Sequence, residues 1–396
     1  MSLNDTPAAN RLHIILIGRR NSGKSSLINA LTGQDVAIVS AVSGTTTDPV
    51  LKAMEIHGIG PCVFIDTAGV DDDDALGAQR VERTMKALQK ADVALLVGEA
   101  DQTAHFVAWK KKLDDLHIPF VPILNKTDML LDVNQAISDI EKQCGVKPVA
   151  VSAKLKQGIQ DVVQAIMKAM PDDFDAPTIT DGMVSEGDLV LLVMPQDIQA
   201  PKGRLILPQV QTLRELLDKK CSVMCCTTDC LPSTLKKLSV APKLIITDSQ
   251  AFMTVYRQKP SESMLTSFSV LFAAYKGDIS YYAESAAKIG QLTTNSRVLI
   301  AEACTHAPLS EDIGRVKIPR LLRKRVGEEL KIDITSGSDF PQDLSPYDLV
   351  IHCGACMFNR KYVLSRISQA RRQGVAMTNY GVAIAWMNGI LDKIQL

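Results

Sequence analysis

A chain of 396 residues is long enough for two or three domains, each with its own core. Lysine plus arginine equals aspartate plus glutamate at 44 each, so no net field draws the chain to nucleic acid or to an anionic membrane surface. The opening MSLNDTPAAN lacks the basic and apolar regions of a leader, and no later apolar run approaches the roughly 18–20 residues of a membrane span, so a cytoplasmic protein with nucleic-acid and membrane partners both absent is expected.

Residues 12–170 alternate apolar runs (LHIILIG, CVFIDTAG, ADVALLVG, PFVPILNK, KPVAVSA) with amphipathic segments such as QRVERTMKALQ and IQDVVQAIMKAM. This alternation predicts a mainly parallel α/β sheet. PDDFDAPTITDG, rich in proline, aspartate and threonine, reads as a linker. DLVLLVM, VQTLRELLDKK, SVMCCTT and KLIITDS predict a smaller second α/β unit. A helix-rich stretch past residue 263 then leads into SRVLIAEACTHAP, KIDITSG and DLVIHCGAC, which predict a third.

Within the first unit GRRNSGKS, Gly18 to Ser25, fits GxxxxGK(S/T) and stands between a predicted strand and a predicted helix. That context is what the motif needs. Backbone amides from Gly18 through Ser22, Gly23 and Ser26 and a helix N-terminus cradle phosphate oxygens, Lys24 reaches the outer phosphates, and Ser25 faces magnesium. DTAG brings Asp66 to the magnesium shell and the Gly69 amide to the terminal phosphate. In NKTD, Asn125, Lys126 and Asp128 follow a strand, and the Asp128 carboxylate can accept both edge donors of guanine, which adenine lacks. SAK, Ser152, Ala153 and Lys154, stands where a loop supporting the base is expected. Together these runs resemble the translation-factor-related P-loop GTPases over about residues 10–170.

The position after the DxxG glycine is Val70, whose apolar side chain cannot orient water. Asn21 and GTTTD, Gly44 to Asp48, resemble the subgroup of the tRNA-modifying GTPase MnmE, and that resemblance implies potassium held beside the phosphates by Asn21 and magnesium bound by Thr46. Thr47 stands where arginine is usual in that subgroup. VER resembles the segment carrying its water-positioning glutamate, making Glu82 a candidate against the plainer reading of a solvated helix carboxylate.

The last unit carries Cys304-x-His306 and, after 45 intervening residues, His352-Cys353-x-x-Cys356. Each half follows an apolar run, so both are expected at C-terminal ends of strands, where open α/β sheets place ligands. In a reducing compartment clustered thiols point to metal, and three thiolates with nearby histidines suit zinc or an iron-sulfur cluster alike. The run CSVMCCTTDC reads instead as ordinary buried thiols.

A GTPase of this class, a middle α/β unit and a C-terminal CxH…HCxxC pattern, in this order, resemble the HydF family of FeFe-hydrogenase maturation GTPases over essentially the whole chain. The resemblance implies a 4Fe-4S cluster on Cys304, Cys353 and Cys356, with His306, His352 or Glu311 as replaceable ligands or supporting donors. It also implies a homodimer, a transient diiron subcluster, and apo FeFe-hydrogenase and radical-SAM maturases as partners. The expected organisation is a P-loop domain over 8–172, a linker over 173–186, a dimerisation domain over 187–262 and a cluster domain over 263–396, each domain an α/β layer with a mainly parallel sheet. The competing expectation is a GTPase switch in RNA modification or ribosome assembly with a structural zinc site.

Overall fold

The computed structural model describes residues 7–32, 50–69, 75–171, 178–195, 205–303, 312–337 and 339–396, with 75–79 described by backbone alone. The chain forms two compact units, Met1–Ala176 and Pro177–Leu396. Thr46, Val70, Asp71 to Asp74, Cys304, His306 and Glu311 lie outside the described residues.

In the first unit the elements run β1 (Leu12–Ile17), α1 (Lys24–Thr32), β2 (Val50–Ile56), β3 (Gly60–Asp66), α2 (Ala75–Leu88), β4 (Val93–Gly98) and α3 (Thr103–Asp115). They continue through β5 (Phe120–Leu124), α4 (Val133–Cys144), β6 (Val149–Ala150) and α5 (Ile159–Ala169). The sheet order is β2-β3-β1-β4-β5-β6. Only β2 pairs antiparallel. Every residue of β1 and β4 is buried, as central parallel strands covered on both faces require. One core holds Ile14, Leu16 and Phe64 with Ile166 of α5, the opposite one Ile15, Ile17 and Leu96 with Phe106 and Trp109 of α3. Each such aliphatic side chain contributes roughly 1.5–3 kcal/mol by leaving water. With β3 on one side of β1 and β4 on the other, strand order reverses at β1, so a crevice opens beyond its C-terminal end.

The second unit begins with β7 (Leu189–Val193), α6 (Leu207–Asp218), β8 (Ser222–Cys226), α7 (Leu231–Leu235), β9 (Leu244–Thr247), α8 (Phe252–Gln258), β10 (Met264–Ser267) and α9 (Phe268–Lys276). It continues with α10 (Ile279–Ala286), β11 (Arg297–Glu302), α11 (Ile318–Val326), β12 (Lys331–Ser336), β13 (Leu349–His352), α12 (Arg360–Arg372), β14 (Ala376–Asn379) and α13 (Tyr380–Met387). Two four-stranded sheets result, β10-β9-β7-β8 and β12-β11-β13-β14. Their strands are paired parallel throughout.

Two expected boundaries shift. β10 pairs with β9, so the second sheet is completed beyond residue 263. Part of the expected linker is packed: Ile179 and Val184 join the core under β7, and Thr180 donates through its amide and hydroxyl to Glu215 Oε1 at 2.8 and 2.7 Å. The sheets also share a core, in which Leu191 and Ile245 meet Leu299, Val350 and Met377. Gln395 ties the chain end to β10, its amide donating to Leu265 O and its carbonyl accepting from Thr266 Oγ1, both at 2.8 Å.

Candidate functional site

The nucleotide motifs gather where the strand order predicts, beyond the C-terminal ends of β1, β3, β5 and β6. Between β1 and α1 the loop turns through left-handed conformations at Asn21, φ +62°, and Gly23, φ +88°. A Cβ at Gly23 would lie 2.2 Å from Asn125 Nδ2, so the glycine is needed for space as well as for φ. Lys24 is buried and its Nζ donates to Gly18 O at 2.8 Å and Arg19 O at 2.9 Å, arching back over the loop.

Ser25 Oγ donates to Asp66 Oδ2 at 2.8 Å, which brings hydroxyl and carboxylate together as a magnesium-bearing pair requires. Gly69 closes on the same loop: a Cβ there would fall 2.6 Å from Arg20 N. Asn125 is the keystone of the base side. Its Nδ2 donates to Ser22 O at 2.9 Å, and its Oδ1 accepts from Ala153 N at 3.2 Å, so one buried amide joins the phosphate loop, NKTD and SAK. Lys126, at φ +60°, donates to Glu99 Oε1 at 2.7 Å. Asp128 and Lys154 are exposed beside them. Ser152 Oγ donates to Asp128 Oδ1 at 2.6 Å, and this bond is the main cause holding that carboxyl below its usual range.

Asn21 and Ser26 are exposed on the phosphate side. Glu82 is exposed on α2 and pairs with Lys86 of its own helix at 2.9 Å.

The second gathering lies at the C-terminal edge of the last sheet, where Ser336 and Glu302 end β12 and β11 opposite each other, His352 and Asn379 end β13 and β14 opposite each other, and His352 faces Ala301. Because β11 and β13 are neighbours, Ala303 lies beside Cys353. Cys353 Sγ accepts from Ala303 N at 3.0 Å and from Ala355 N at 3.4 Å, and Cys304 is the next residue after Ala303. Ala355 takes φ +51°, curling the loop so that its amide faces the sulfur. Burial pushes the Cys353 thiol up to about 11, against the pull of those two amides. Cys356 is partly buried three residues on.

His352 ends β13 beside this loop. Its Nδ1 lies 2.8 Å from Cys353 O and its Nε2 2.9 Å from Arg366 Nη1, so the guanidinium fixes Nε2 as acceptor and the Nδ1 proton on the carbonyl. Burial, then Arg366, pushes its pKa down to about 3. Both ring nitrogens are thus engaged in this structure. Among the described residues no group of three or more His, Cys, Asp or Glu is placed to hold a metal ion. The described donors still suit a thiolate site, since a sulfur facing two backbone amides is an environment for negative charge. Arg366 and Lys276, both buried around this loop, carry no motif and were not expected from the sequence. Of the other cysteines, Cys62, Cys144 and Cys221 are buried as ordinary thiols, whereas Cys225 and Cys230 are exposed, against the expectation for their run.

Known proteins divide along the same lines. Residues 13–126 match the 50S ribosome-binding GTPase family, 179–277 the hydrogen maturase F dimerization domain and 280–395 the hydrogen maturase F tetramerization domain. The tRNA modification GTPase MnmE of Chromobacterium violaceum is 36% identical over 162 residues, 40% of this chain and 34% of that protein. Its counterpart in Zymomonas mobilis subsp. mobilis is 45% identical over 92 residues, 23% of this chain and 21% of that protein. The chain thus spans about a third or less of these relatives' length. Among solved structures, Era in complex with MgGDPNP and a segment of 16S ribosomal RNA aligns over 54% of this chain and 92% of its own, at 21% identity and a TM-score of 0.36. Residues 13–126 of the first unit thus form a domain of a GTPase family. Among the described residues, no helix is long and apolar enough to cross a membrane.

Proposed function

Because the chain belongs to the HydF family of hydrogenase-maturation GTPases, with an oligomerisation module following its GTPase domain, we propose that it is a GTP-hydrolysing scaffold. In this role it holds a 4Fe-4S cluster and assembles or delivers the diiron subcluster to apo FeFe-hydrogenase. The observation that carries this reading is the Ala303 amide bonded to the Cys353 sulfur at one sheet edge, Ala303 being the residue before Cys304 in the sequence. Cys304, Cys353 and Cys356 would hold the cluster through three thiolates. The cluster would supply an iron whose remaining position is open to exchange, as a site that receives and surrenders cargo needs. His306 and Glu311 remain the candidates for that position, because the nitrogens of His352 are engaged.

In the first unit Lys24 and the loop amides cradle the phosphates, Ser25 with Asp66 and Thr46 carries magnesium, Gly69 faces the terminal phosphate, and Asp128 with Ser152 selects guanine. Asn21 is the proposed potassium ligand, the cation standing in for an arginine at the transition state. A homodimer in the cytoplasm, working with radical-SAM maturases, completes the proposal. The chain would divide into a GTPase domain, a dimerisation domain ending with α9 and a cluster domain beginning at α10.

Anaerobic purification and reconstitution, with iron, sulfide and zinc measured on the same sample, tests the scaffold. Iron and sulfide in cluster stoichiometry, lost in Cys353→Ser, are expected. Zinc without iron after reconstitution would sink the proposal and leave the zinc-stabilised switch.

A further inference from the structure

Around the Cys353–Cys356 loop the fold buries two cations. Lys276, the last residue of α9, is 2% exposed, and its Nζ donates to the carbonyl oxygens of Ala355, Cys356 and Phe358 at 3.1, 3.3 and 2.7 Å. Three acceptors match the three protons of an ammonium group, whereas a neutral amine would leave one carbonyl without a donor.

Arg366 of α12 is 1% exposed, with its guanidinium 4.6, 4.7 and 4.6 Å from the ring centroids of Phe340, Phe358 and Tyr362. It donates to Gly337 O at 2.6 Å and Tyr362 Oη at 3.1 Å, besides its bond to His352. Among the described residues of this unit no Asp or Glu is buried, and neither cation ion-pairs with a described residue. A buried charge without a counter-ion costs several kcal/mol. Negative charge bound at the loop would offset that cost.

We propose that Lys276 and Arg366 are positioning residues of the cysteine loop, a cationic floor that balances the negative charge of a thiolate-bound iron-sulfur cluster and raises its reduction potential. This role rests on the iron-sulfur reading of the three cysteines. A cluster held by three thiolates carries net negative charge that grows by one on reduction, so a fixed cation stabilises the reduced form more than the oxidised form. At an effective dielectric near 20 a unit charge several ångströms away changes that balance by about tenfold or more.

The test uses full-length protein reconstituted anaerobically, compared with Lys276→Gln, Lys276→Arg, Arg366→Gln and Arg366→Lys. Iron and sulfide are counted first, and the reduced fraction is then followed by electron paramagnetic resonance in a redox titration. Each glutamine variant keeps hydrogen-bond donors but loses the charge. At a fixed potential its ratio of reduced to oxidised cluster should fall about tenfold, equivalent to about 59 mV for a one-electron couple. The charge-retaining variants should stay close to the parent. If Arg366→Gln fails to fold for want of its His352 bond, the Lys276 pair decides alone. Parent-like potentials in glutamine variants that hold full iron would overturn the proposal, even with lowered thermal stability, since that combination marks a purely structural role. A parent protein that takes up no iron would instead overturn the cluster reading beneath it.

Discussion

Asp128 shows how one hydroxyl tunes recognition. Its carboxylate has to be charged to accept both guanine donors, and the Ser152 hydroxyl at 2.6 Å is the main cause holding its pKa down. A depressed pKa keeps the carboxylate charged as pH falls, so recognition is complete above the ordinary carboxylate range and is lost as pH falls through the lowered value. Ser152→Ala removes that cause. In nucleotide titrations at falling pH, its GTP affinity should begin to fail at a higher pH than the parent's, and a superimposable profile would separate Ser152 from base recognition. Asp128→Asn should shift preference from guanosine toward xanthosine nucleotides by orders of magnitude in a competition assay, as lost buried matches do. For Asn21, held at φ +62° in the phosphate loop, the expected result is faster GTP hydrolysis in potassium than in sodium at equal ionic strength, with the difference abolished in Asn21→Ala. Equal rates in the parent would move the missing positive charge to an arginine from elsewhere.

Whole motifs were readable from sequence because their chemistry is local: GRRNSGKS, DTAG, NKTD and SAK each end a strand, and β1, β3, β5 and β6 carry them to one edge. Elements whose assignment depends on a distant partner were not. β10 is the four-residue MLTS, too short and mixed to announce itself, and only pairing with β9 makes it a strand. Likewise PDDFDAPTITDG has linker composition, yet Ile179 and Thr180 donate backbone amides to the Glu215 carboxylate of α6, and Lys219 lies 3.2 Å from the same group. Lys276 and Arg366 carry no spacing signal at all, since what matters about a buried cation is the loop folded over it. Glu215→Ala should therefore leave two amides and the Thr180 hydroxyl without their acceptor and cost about 2–3 kcal/mol in a denaturant titration. Hydrogen exchange at the Ile179 and Thr180 amides should quicken as well. Unchanged stability and protection would return this segment to the status of a linker.

At the scale of the molecule, the nucleotide and cysteine sites belong to separate compact units, each with cores of its own. Separate cores mean that damage to one site need not reach the other, which turns the relation between GTP hydrolysis and cluster chemistry into a measurable question. Lys24 is committed to the phosphate loop through Gly18 O and Arg19 O, so Lys24→Ala should remove GTP hydrolysis and leave iron and sulfide content near the parent value. Cys353 is committed to the sheet edge through Ala303 N and Ala355 N, and Cys353→Ser should strip the cluster while hydrolysis persists, because oxygen is a poor substitute for a soft thiolate toward iron. Both variants should fail to mature an apo-hydrogenase in a cell-free assay, the first for want of nucleotide cycling and the second for want of a carrier site. Full maturation by Cys353→Ser would deprive the carrier role of its central residue. Full maturation by Lys24→Ala, with hydrolysis abolished, would make the GTPase a regulator of delivery instead of an obligatory part of it.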